Sequence, residues 1–336
     1  MNGTYNRRKF IRDTSMGLAG LSLPGIVRSQ NSYLMQEPVI YDVIIIGGSY
    51  AGLSAAMSLG RALRKVLIID SGDPCNRQTP HSHNFLTQDG EPPLGIAAKG
   101  RKQLEAYPTI SFLEDKADKA SRTAEGFRVE VSLGTAFIAK KLLFTTGIKD
   151  IMPDIPGYAE SWGISVLHCP YCHGYEVRNQ PTGILANGDM AFEKARLIAQ
   201  WTRELTVFTN GSSTLSEAQR SLLVRHHIDV IEKTIRSIAT EEGHVSKLEF
   251  TDGSSHDLKA IYARPEFKQQ SDIPQALGCA ITQEGYIQVD DLKRTTVPGV
   301  YAAGDNTTML RSVANAVAAG SMAGAFLNKE LIDEAF

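Results

Sequence analysis

Short runs of β-branched and aliphatic residues recur along this chain, and each predicts a buried strand of a parallel sheet. The first run covers 41–46 and the second covers 65–70, with an Ala-, Leu- and Met-rich stretch at 53–63 between them that predicts a helix. The same order returns as a strand at 182–185, a helix that is predicted to end near Thr202 and a strand at 205–208, and a helix rich in small residues is predicted from Ala314 to Phe326. Strands that alternate with helices in this way are typical of α/β domains, so the pattern predicts an α/β protein.

The first strand runs directly into a glycine-containing turn, Gly47-Gly48-Ser49-Tyr50-Ala51-Gly52. Gly47 permits a tight turn, and Gly52 lets the following helix pack closely against the strand. The free N–H groups at the start of that helix suit a pyrophosphate, and Asp70, which ends the second strand, can accept hydrogen bonds from ribose hydroxyls. Ser49 replaces the middle glycine of the usual fingerprint and crowds the approach to the pyrophosphate. The segment predicts a dinucleotide-binding unit, with these cofactor-binding residues: Gly47, Ser49, Tyr50, Ala51, Gly52 and Asp70.

The overall composition excludes several classes of protein. The chain has 336 residues, of which 42% are hydrophobic and 21% are charged, so it can form a globular protein of about two domains. It carries 35 basic and 37 acidic side chains, so no excess of positive charge favours nucleic acid as a partner. No apolar run reaches the roughly 18 residues that a membrane span needs.

Two of the four cysteines stand in the segment His168-Cys169-Pro170-Tyr171-Cys172-His173, at a spacing that can close a small disulfide ring. The same letters also match a c-type haem attachment site, but no other haem ligand is visible. A zinc site needs about four ligands, and the remaining cysteines, Cys75 and Cys279, show no second paired spacing, so no metal site is predicted. Two buried thiols would not explain the proline and the flanking histidines. The pattern favours a redox-active disulfide.

The N-terminus differs from the rest of the chain. Arg7 and Arg8 precede a short apolar stretch that is rich in Gly, Ala, Ser and Leu, and this resembles a twin-arginine export signal over residues 1–32. The alternative is a basic tail without a targeting role, in which case the protein would be cytoplasmic. The signal predicts an exported, periplasmic protein that takes up its cofactor before it leaves the cytoplasm.

Three segments together carry a family resemblance. Residues 295–305 resemble the second flavin motif of flavoproteins with two dinucleotide domains, and Thr145-Thr146-Gly147 resembles their crossover out of the FAD domain. With the cysteine pair placed just after that crossover, the chain from Val39 to Leu331 resembles the low-molecular-weight thioredoxin reductases. The resemblance implies FAD as cofactor, a homodimer, and either a small dithiol or disulfide or a thioredoxin-like protein as partner. It adds these cofactor-binding residues: Asn84, Thr146, Gly147, Gly304 and Asp305.

The resemblance also implies the roles of the catalytic residues. Cys172 would lie on the flavin side, and Cys169 would exchange with the sulfur atoms of the substrate. His173 stands where thioredoxin reductases have an acid–base aspartate, and an imidazole can carry protons near neutral pH. His168 is a second candidate for this work, or else only a structural neighbour.

The second unit departs from the reductases. Its first glycine is replaced by Ala186, and after its second strand the chain reads Thr209-Asn210-Gly211-Ser212-Ser213, with neither arginines for a 2′-phosphate nor an acid for a ribose. NADPH binding is therefore doubtful. The histidine after Cys172 and the Ser49-Tyr50 turn resemble the gliotoxin- and holomycin-type dithiol oxidases. This resemblance implies transfer of electrons from a dithiol to dioxygen or to another non-nicotinamide acceptor. The alternatives are an NADPH-dependent thioredoxin-disulfide reductase and a protein that retains flavin without catalysis.

These observations predict two doubly wound, Rossmann-like dinucleotide-binding domains, the second inserted in the first. The FAD-binding domain is expected at 38–151 and 281–336. The inserted domain, which resembles a nicotinamide domain and carries the redox pair, is expected at 152–280.

Overall fold

The computed structural model describes residues 39–336. The predicted export signal at 1–32 lies outside the described residues. Two large sheets dominate the part that is described, one of seven strands and one of five.

The seven-stranded sheet is built around the first βαβ unit, with strand order β3-β2-β1-β6-β5-β4 and with β17 also paired to β6. Its strands are β1 (Ile40–Ile46), β2 (Val66–Asp70), β3 (Ile110–Glu114), β4 (Ala117–Thr123), β5 (Gly126–Val131), β6 (Ala136–Phe144) and β17 (Val300–Ala302). Its helices are α1 (Tyr50–Arg61), α2 (Pro93–Leu104) and α8 (Val313–Asp333). Because β1, β6 and β17 are parallel and in register at Ile46, Phe144 and Ala302, the turns that follow these three strands meet at one edge.

The five-stranded sheet is parallel throughout, in the order β11-β10-β9-β15-β8. Its strands are β8 (Val166–Leu167), β9 (Thr182–Leu185), β10 (Leu205–Phe208), β11 (Asp229–Ile231) and β15 (Ala260–Ala263). Its helices are α3 (Tyr158–Ser161), α4 (Pro170–His173), α5 (Gly188–Ile198) and α6 (Glu217–Arg225). All of these strands lie between β6 and β17 in sequence, so the second Rossmann-like unit is inserted in the first, as predicted.

Two smaller sheets and one short helix complete the described fold. An antiparallel sheet contains β12 (Ile235–Glu241), β13 (His244–Phe250) and β14 (Ser255–Asp257), and a two-stranded ribbon joins β7 (Ile148–Ile151) to β16 (Glu266–Gln269). The helix is α7 (Ile273–Ala276). The ribbon pairs the strand that follows the first sheet with the strand that leads back to it. The two chain connections between the large sheets therefore lie side by side. The exact domain limits stay a prediction.

Apolar side chains cover both faces of each large sheet, which makes both units doubly wound. The closest packing is between α1 and α8, where small residues let the helix backbones approach each other. A Cβ atom added to Gly320 would lie 2.0 Å from the Ala51 carbonyl oxygen. This contact holds the C-terminal helix against the start of α1. Among the described residues, no helix has both the length and the apolar character needed to cross a bilayer.

The predicted elements are present with shifted ends. The strands at 182–185 and 205–208 have the predicted bounds, whereas α1 begins earlier than predicted and ends at Arg61. It cannot continue through Leu63, which has φ of 62° and is exposed. The helix α5 ends at Ile198 rather than near Thr202, and α8 extends to Asp333, beyond the predicted end at Phe326. Helix ends are decided by caps and tertiary contacts, which the periodicity of a sequence does not show.

Candidate active site

The two paired cysteines lie at the end of the second sheet. β8 stops at Leu167, and Cys169 is the N-cap residue of the one-turn helix α4, which carries Cys172. The two sulfur atoms are 2.7 Å apart, and both residues are free cysteines. A disulfide bond can therefore close between them without a change in the course of the backbone.

The environment gives the two thiols opposite acidities. A hydrogen bond from the Cys172 thiol, helped by the backbone N–H groups of Cys172 and Tyr171, lowers the pKa of Cys169 to about 7. The pKa of Cys172 is raised, because its thiol donates to Cys169, is desolvated by burial, and faces the negative charges of Cys169 and Asp305. In the reduced protein Cys169 therefore carries the thiolate and Cys172 the proton. The thiolate is the reactive form in disulfide exchange.

A cavity of about 1210 Å³, part of it open to solvent, connects this pair with the first sheet. The predicted residues that line it are Ser49, Tyr50, Ala51, Thr146, Gly147, Cys169, Cys172, His173, Gly304 and Asp305. They come from the edge where the turns after β1, β6 and β17 meet, and from the turn after β8. The tertiary structure thus brings the glycine turn, the crossover segment, the second flavin-like motif and the cysteine pair to one place.

The glycine turn is built to hold a dinucleotide. The N-cap residue Ser49 makes no side-chain hydrogen bond to the start of α1, so the first N–H groups of that helix remain available beside the cavity. Gly47 has φ of 106°, and an added Cβ would lie 2.4 Å from the Thr145 carbonyl oxygen. A Cβ on Gly52 would lie 2.0 Å from the Gly47 carbonyl oxygen. Both positions therefore require glycine.

Two further groups fit the same ligand. Asp70 accepts a hydrogen bond of 3.0 Å from the Gly48 N–H and therefore lies next to the glycine turn. A carboxylate that binds a ribose is expected at this position. The Thr146 hydroxyl is buried and has no hydrogen-bond partner among the described residues. An unpaired buried hydroxyl in the lining of a cavity is a binding group for a polar ligand. The residues present therefore fit FAD, the cofactor implied by the sequence.

Two buried charged residues, Arg311 and Asp150, lie close to Asp305, and the sequence did not reveal this cluster. Arg311 donates two hydrogen bonds to Asp150, of 2.8 and 2.9 Å, and its Nε lies 3.8 Å from the Asp305 carboxylate. Burial, together with the Asp150 charge, raises the pKa of Asp305 to about 6 against the opposing effect of Arg311. The sequence signal for this network was weak, because Arg311 and Asp150 are 161 positions apart and neither belongs to a recognised motif.

The sequence predicts that Cys75 and Cys279, which have no partner at a useful spacing, are inert small side chains. Cys75 lines the cavity, and its thiol lies 3.9 Å from the Asp305 carboxylate. Solvent reaches the thiol at the cavity, whereas surrounding protein atoms desolvate it and raise its pKa to about 11. Cys75 is therefore a protonated neighbour of the cofactor site at neutral pH. Cys279 is buried in the core of the first sheet.

Histidines flank the cysteines on two sides. His168 and His173 line the cavity, and burial lowers their pKa values to about 3 and about 4. Both rings are therefore neutral near pH 7, and burial makes them weaker proton acceptors than the near-neutral imidazole that the sequence predicts. His83, which also lines the cavity, lies 3.6 Å from Glu176, just after the cysteine segment.

Some predicted cofactor residues lie behind the cavity or beside it. Gly47, Gly52 and Asp70 shape the turn without being part of the lining. Asn84 adopts φ of 59° and donates its backbone N–H to Asp89, outside the lining. Its contact with a flavin ring stays a prediction.

The corresponding turn of the second sheet is filled by the protein itself. Asn187 caps α5, and its side-chain oxygen accepts from the backbone N–H groups of both Gly188 and Thr214, each at 2.8 Å. Its amide donates to the Ser212 carbonyl at 2.9 Å. An added Cβ on Gly188 would lie 2.7 Å from the Thr214 hydroxyl. The loop after β10 is thus tied over the N-terminus of α5, whose first turn also carries the acidic Asp189.

The chain is similar to known disulfide oxidoreductases over most of its length. Residues 41–320 match the family model described as pyridine nucleotide-disulphide oxidoreductase. Thioredoxin reductase tcpT of Claviceps purpurea is 33% identical over 89% of this chain and 96% of that protein. Thioredoxin reductase sirT of Leptosphaeria maculans is 31% identical over 87% and 94%.

Solved structures agree with these similarities. An oxidoreductase from Agrobacterium tumefaciens is 40% identical, with a TM-score of 0.83 over 88% of this chain and 99% of that chain. The structure of HlmI is 34% identical, also with a TM-score of 0.83, over 88% and 93%.

Proposed function

Because this chain belongs to the pyridine nucleotide-disulphide oxidoreductase family, a class of thioredoxin reductase-like FAD-dependent enzymes, we propose that it oxidises a dithiol to a disulfide. The Cys169–Cys172 pair receives the electrons, and dioxygen is the final acceptor. The overall reaction moves two electrons and two protons from the dithiol to dioxygen and yields a disulfide and hydrogen peroxide.

The observation that carries this proposal is the contrast between the two helix N-termini at the two Rossmann-like turns. The start of α1 has no side-chain cap and lies beside a large cavity, so its N–H groups are free to bind a phosphate. The start of α5 is capped by Asn187, covered by Thr214 and made negative by Asp189. A pyrophosphate at the second site would have to displace the cap and face a carboxylate, which opposes nicotinamide binding.

The chain's residues divide the work between the two ends of the cavity. The turn at 47–52, Thr146 and Asp305 would hold FAD, which when bound supplies a two-electron acceptor beside the cysteine pair. A thiolate of the substrate attacks the disulfide at Cys169, the S–S bond breaks, and the second substrate sulfur releases Cys169 as the new disulfide forms. His173, whose ring lines the cavity, would relay a proton released from the dithiol, and its lowered pKa lets it hold that proton only transiently at pH 7.

The charges around each sulfur agree with this assignment. Asp305 and Arg311, both at the cofactor end, act on Cys172. Lys194, from the second unit, acts on Cys169. These charges support the assignment of Cys172 to the cofactor side and of Cys169 to the substrate side.

The second candidate is an NADPH-dependent thioredoxin-disulfide reductase, because tcpT and sirT both carry the name thioredoxin reductase. The surroundings of the loop at 209–213 oppose the binding of NADPH. Ser213 donates its backbone N–H to Glu232 at 2.8 Å, which places a carboxylate beside the loop expected to receive the 2′-phosphate.

An anaerobic reduction experiment tests the proposal against this alternative. The purified yellow protein is mixed separately with NADPH and with dithiothreitol, and the flavin absorbance is followed. We expect bleaching by the dithiol and none by NADPH, followed by peroxide formation when air is admitted. Prompt bleaching by NADPH would establish the reductase instead.

A matched variant sharpens the test. In Asn187→Ala the cap of α5 is lost, and its N–H groups are freed, while the cysteine pair is unchanged. Dithiol oxidation by this variant should remain within about twofold of the parent, because the substitution lies outside the cavity lining.

We also propose that residues 1–32 direct export and that the enzyme acts as a homodimer. An exported enzyme lies outside the cellular NADPH pool, which agrees with electron flow from thiols to dioxygen. Light scattering of the purified protein tests the dimer, and a mass near that of one chain would exclude it.

A further inference from the structure

The strand register of the second sheet places Arg264 at the same edge as the segment that carries Cys169, and its charge acts on His168 in that segment. β15 runs parallel to β8 with Tyr262 opposite Leu167. Arg264 and Cys169 each follow two residues later, so both leave the sheet at the same carboxyl edge. Arg264 is exposed at this edge.

Lys194 reaches the same place from the helix side. It lies one turn before Ile198 on α5. Lys194, Ile198 and, just after the helix, Trp201 form one stripe along the helix surface, because they are spaced by four and three residues. Trp201 packs edge-on against the Tyr171 ring at 5.7 Å, and a Cβ added to Gly174 would lie 2.7 Å from its indole nitrogen. That stripe therefore faces the cysteine segment. Lys194 is half-buried there, and its pKa is lowered by burial and by Arg264 and raised by the Cys169 charge.

Neither cation has a protein partner. In the described part of the chain, Lys194 and Arg264 form no ion pair within 4.0 Å, and neither side chain makes a hydrogen bond. Arg264 disfavours the positive charge of Lys194, and the Cys169 thiolate favours it. When the cysteines form a disulfide, this thiolate disappears, and two positive charges are left without a counter-charge. The oxidised form is the one that must admit the substrate.

From this arrangement we propose that Lys194 and Arg264 bind a carboxylate of the substrate, so that the enzyme selects small acidic dithiols. The inference rests on the proposed function, because it concerns the substrate that enters at Cys169. The anionic group settles between the two cations while a sulfur of the same molecule approaches Cys169. After the transfer, the Cys169 thiolate replaces the carboxylate as the counter-charge and favours release of the product.

The test compares dihydrolipoate with dihydrolipoamide, which share one dithiol and differ only in a carboxylate against a neutral amide. We expect the native enzyme to favour dihydrolipoate in kcat/KM by about tenfold in a buffer of low ionic strength. Arg264→Gln should lower this preference about fivefold, and Arg264→Glu should reverse it. Added salt should weaken the preference in the native enzyme and leave the Arg264→Gln variant nearly unaffected.

Two further variants separate recognition from other effects. Lys259 lies at the opposite end of β15, so Lys259→Gln makes the same charge change away from Cys169 and should leave the preference unchanged. Lys194→Gln should lower the preference and also raise the pH at which Cys169 is half alkylated, because Lys194 stabilises its thiolate.

The outcomes distinguish this inference from the proposed function. Turnover of both dithiols with an equal loss in every Arg264 variant would overturn the carboxylate site and leave the oxidase intact. Inhibition by NADP⁺ that disappears in Arg264→Gln would assign the cations to a nucleotide and overturn it as well. If the native, flavin-loaded enzyme oxidised neither dithiol, the proposed function and this inference would both be wrong.

Discussion

Removal of Arg311 tests whether its buried ion pair with Asp150, next to Asp305, stabilises the fold around the expected FAD site. The Arg311 and Asp150 side chains are 14% and 4% exposed, and two hydrogen bonds of 2.8 and 2.9 Å join them. Arg311→Met keeps the length of the side chain but leaves Asp150 without a partner. Breaking a buried ion pair on one side costs about 3 kcal/mol or more, because a charge remains uncompensated.

The expected effect is measurable as a melting temperature. An unfolding entropy of about 2.1 cal/mol/K per residue gives roughly 1.4 °C per kcal/mol for a chain of 336 residues, so a loss of about 3 kcal/mol lowers Tm by about 4 °C at pH 8. The double variant Arg311→Met/Asp150→Asn should recover about half of this loss, since the stranded charge is removed as well. Arg225→Met, which changes an exposed arginine at the end of α6, is the control and should shift Tm by less than about 2 °C.

The pH dependence gives the reasoning a second check. Burial raises the folded-state pKa of Asp305 to about 6, and loss of Arg311 removes a charge that lowers it, so the pKa rises further. A carboxyl group with a raised folded pKa stabilises the fold at low pH and loses that contribution as pH rises through this pKa. The Tm deficit of Arg311→Met should therefore be smaller at pH 5 than at pH 8. Equal deficits at both pH values, or a deficit below 2 °C, would refute the account of the cluster.

Three other predictions follow from the site and the N-terminus. Cys169→Ser and Cys172→Ser should each lower dithiol turnover by at least about a thousandfold while flavin content stays unchanged, and turnover within tenfold of the parent would remove the pair from the mechanism. Alkylation of the reduced protein by iodoacetamide should reach half its maximal rate near pH 7 at Cys169 and leave Cys172 unmodified, as located by mass spectrometry; preferential labelling of Cys172 would contradict the assigned acidities. Residues 1–32 fused to a folded reporter should direct it to the periplasm, and replacement of both Arg7 and Arg8 by lysine should retain it in the cytoplasm; export that survives the replacement would exclude the twin-arginine route.

Much of the fold could be predicted because the strands are local features of the sequence. A buried parallel strand needs a continuous apolar run, and the runs at 182–185 and 205–208 coincide with β9 and β10. The glycine turn was also predictable, since Gly52 is required by a backbone contact within one βαβ unit and Gly47 by the tight turn itself, although the atom that Gly47 would meet belongs to the distant Thr145. The ends of α1, α5 and α8 were less accurate, because caps and neighbouring elements decide where a helix stops.

The candidate site divides in the same way. The cysteine pair and the cofactor motifs have short, recognisable spacings, and the structure gathers most of them around one cavity. The place of Cys75 in the cavity lining could not be predicted, because it depends on the path of a loop and no spacing in the sequence connects Cys75 with Asp305.

The sequence by itself determined the local chemistry: two dinucleotide turns, one intact and one altered, and a pair of sulfurs able to form a disulfide. Only the tertiary structure decided which charges surround them. Arg311 forms hydrogen bonds with Asp150 although the two residues are 161 positions apart in the sequence. Lys194, from a helix, and Arg264, from the end of a strand, come together near the segment that carries Cys169. The physical reason is that parallel strands collect their carboxyl-terminal turns at one edge, while electrostatic partners are selected by distance in space rather than along the chain.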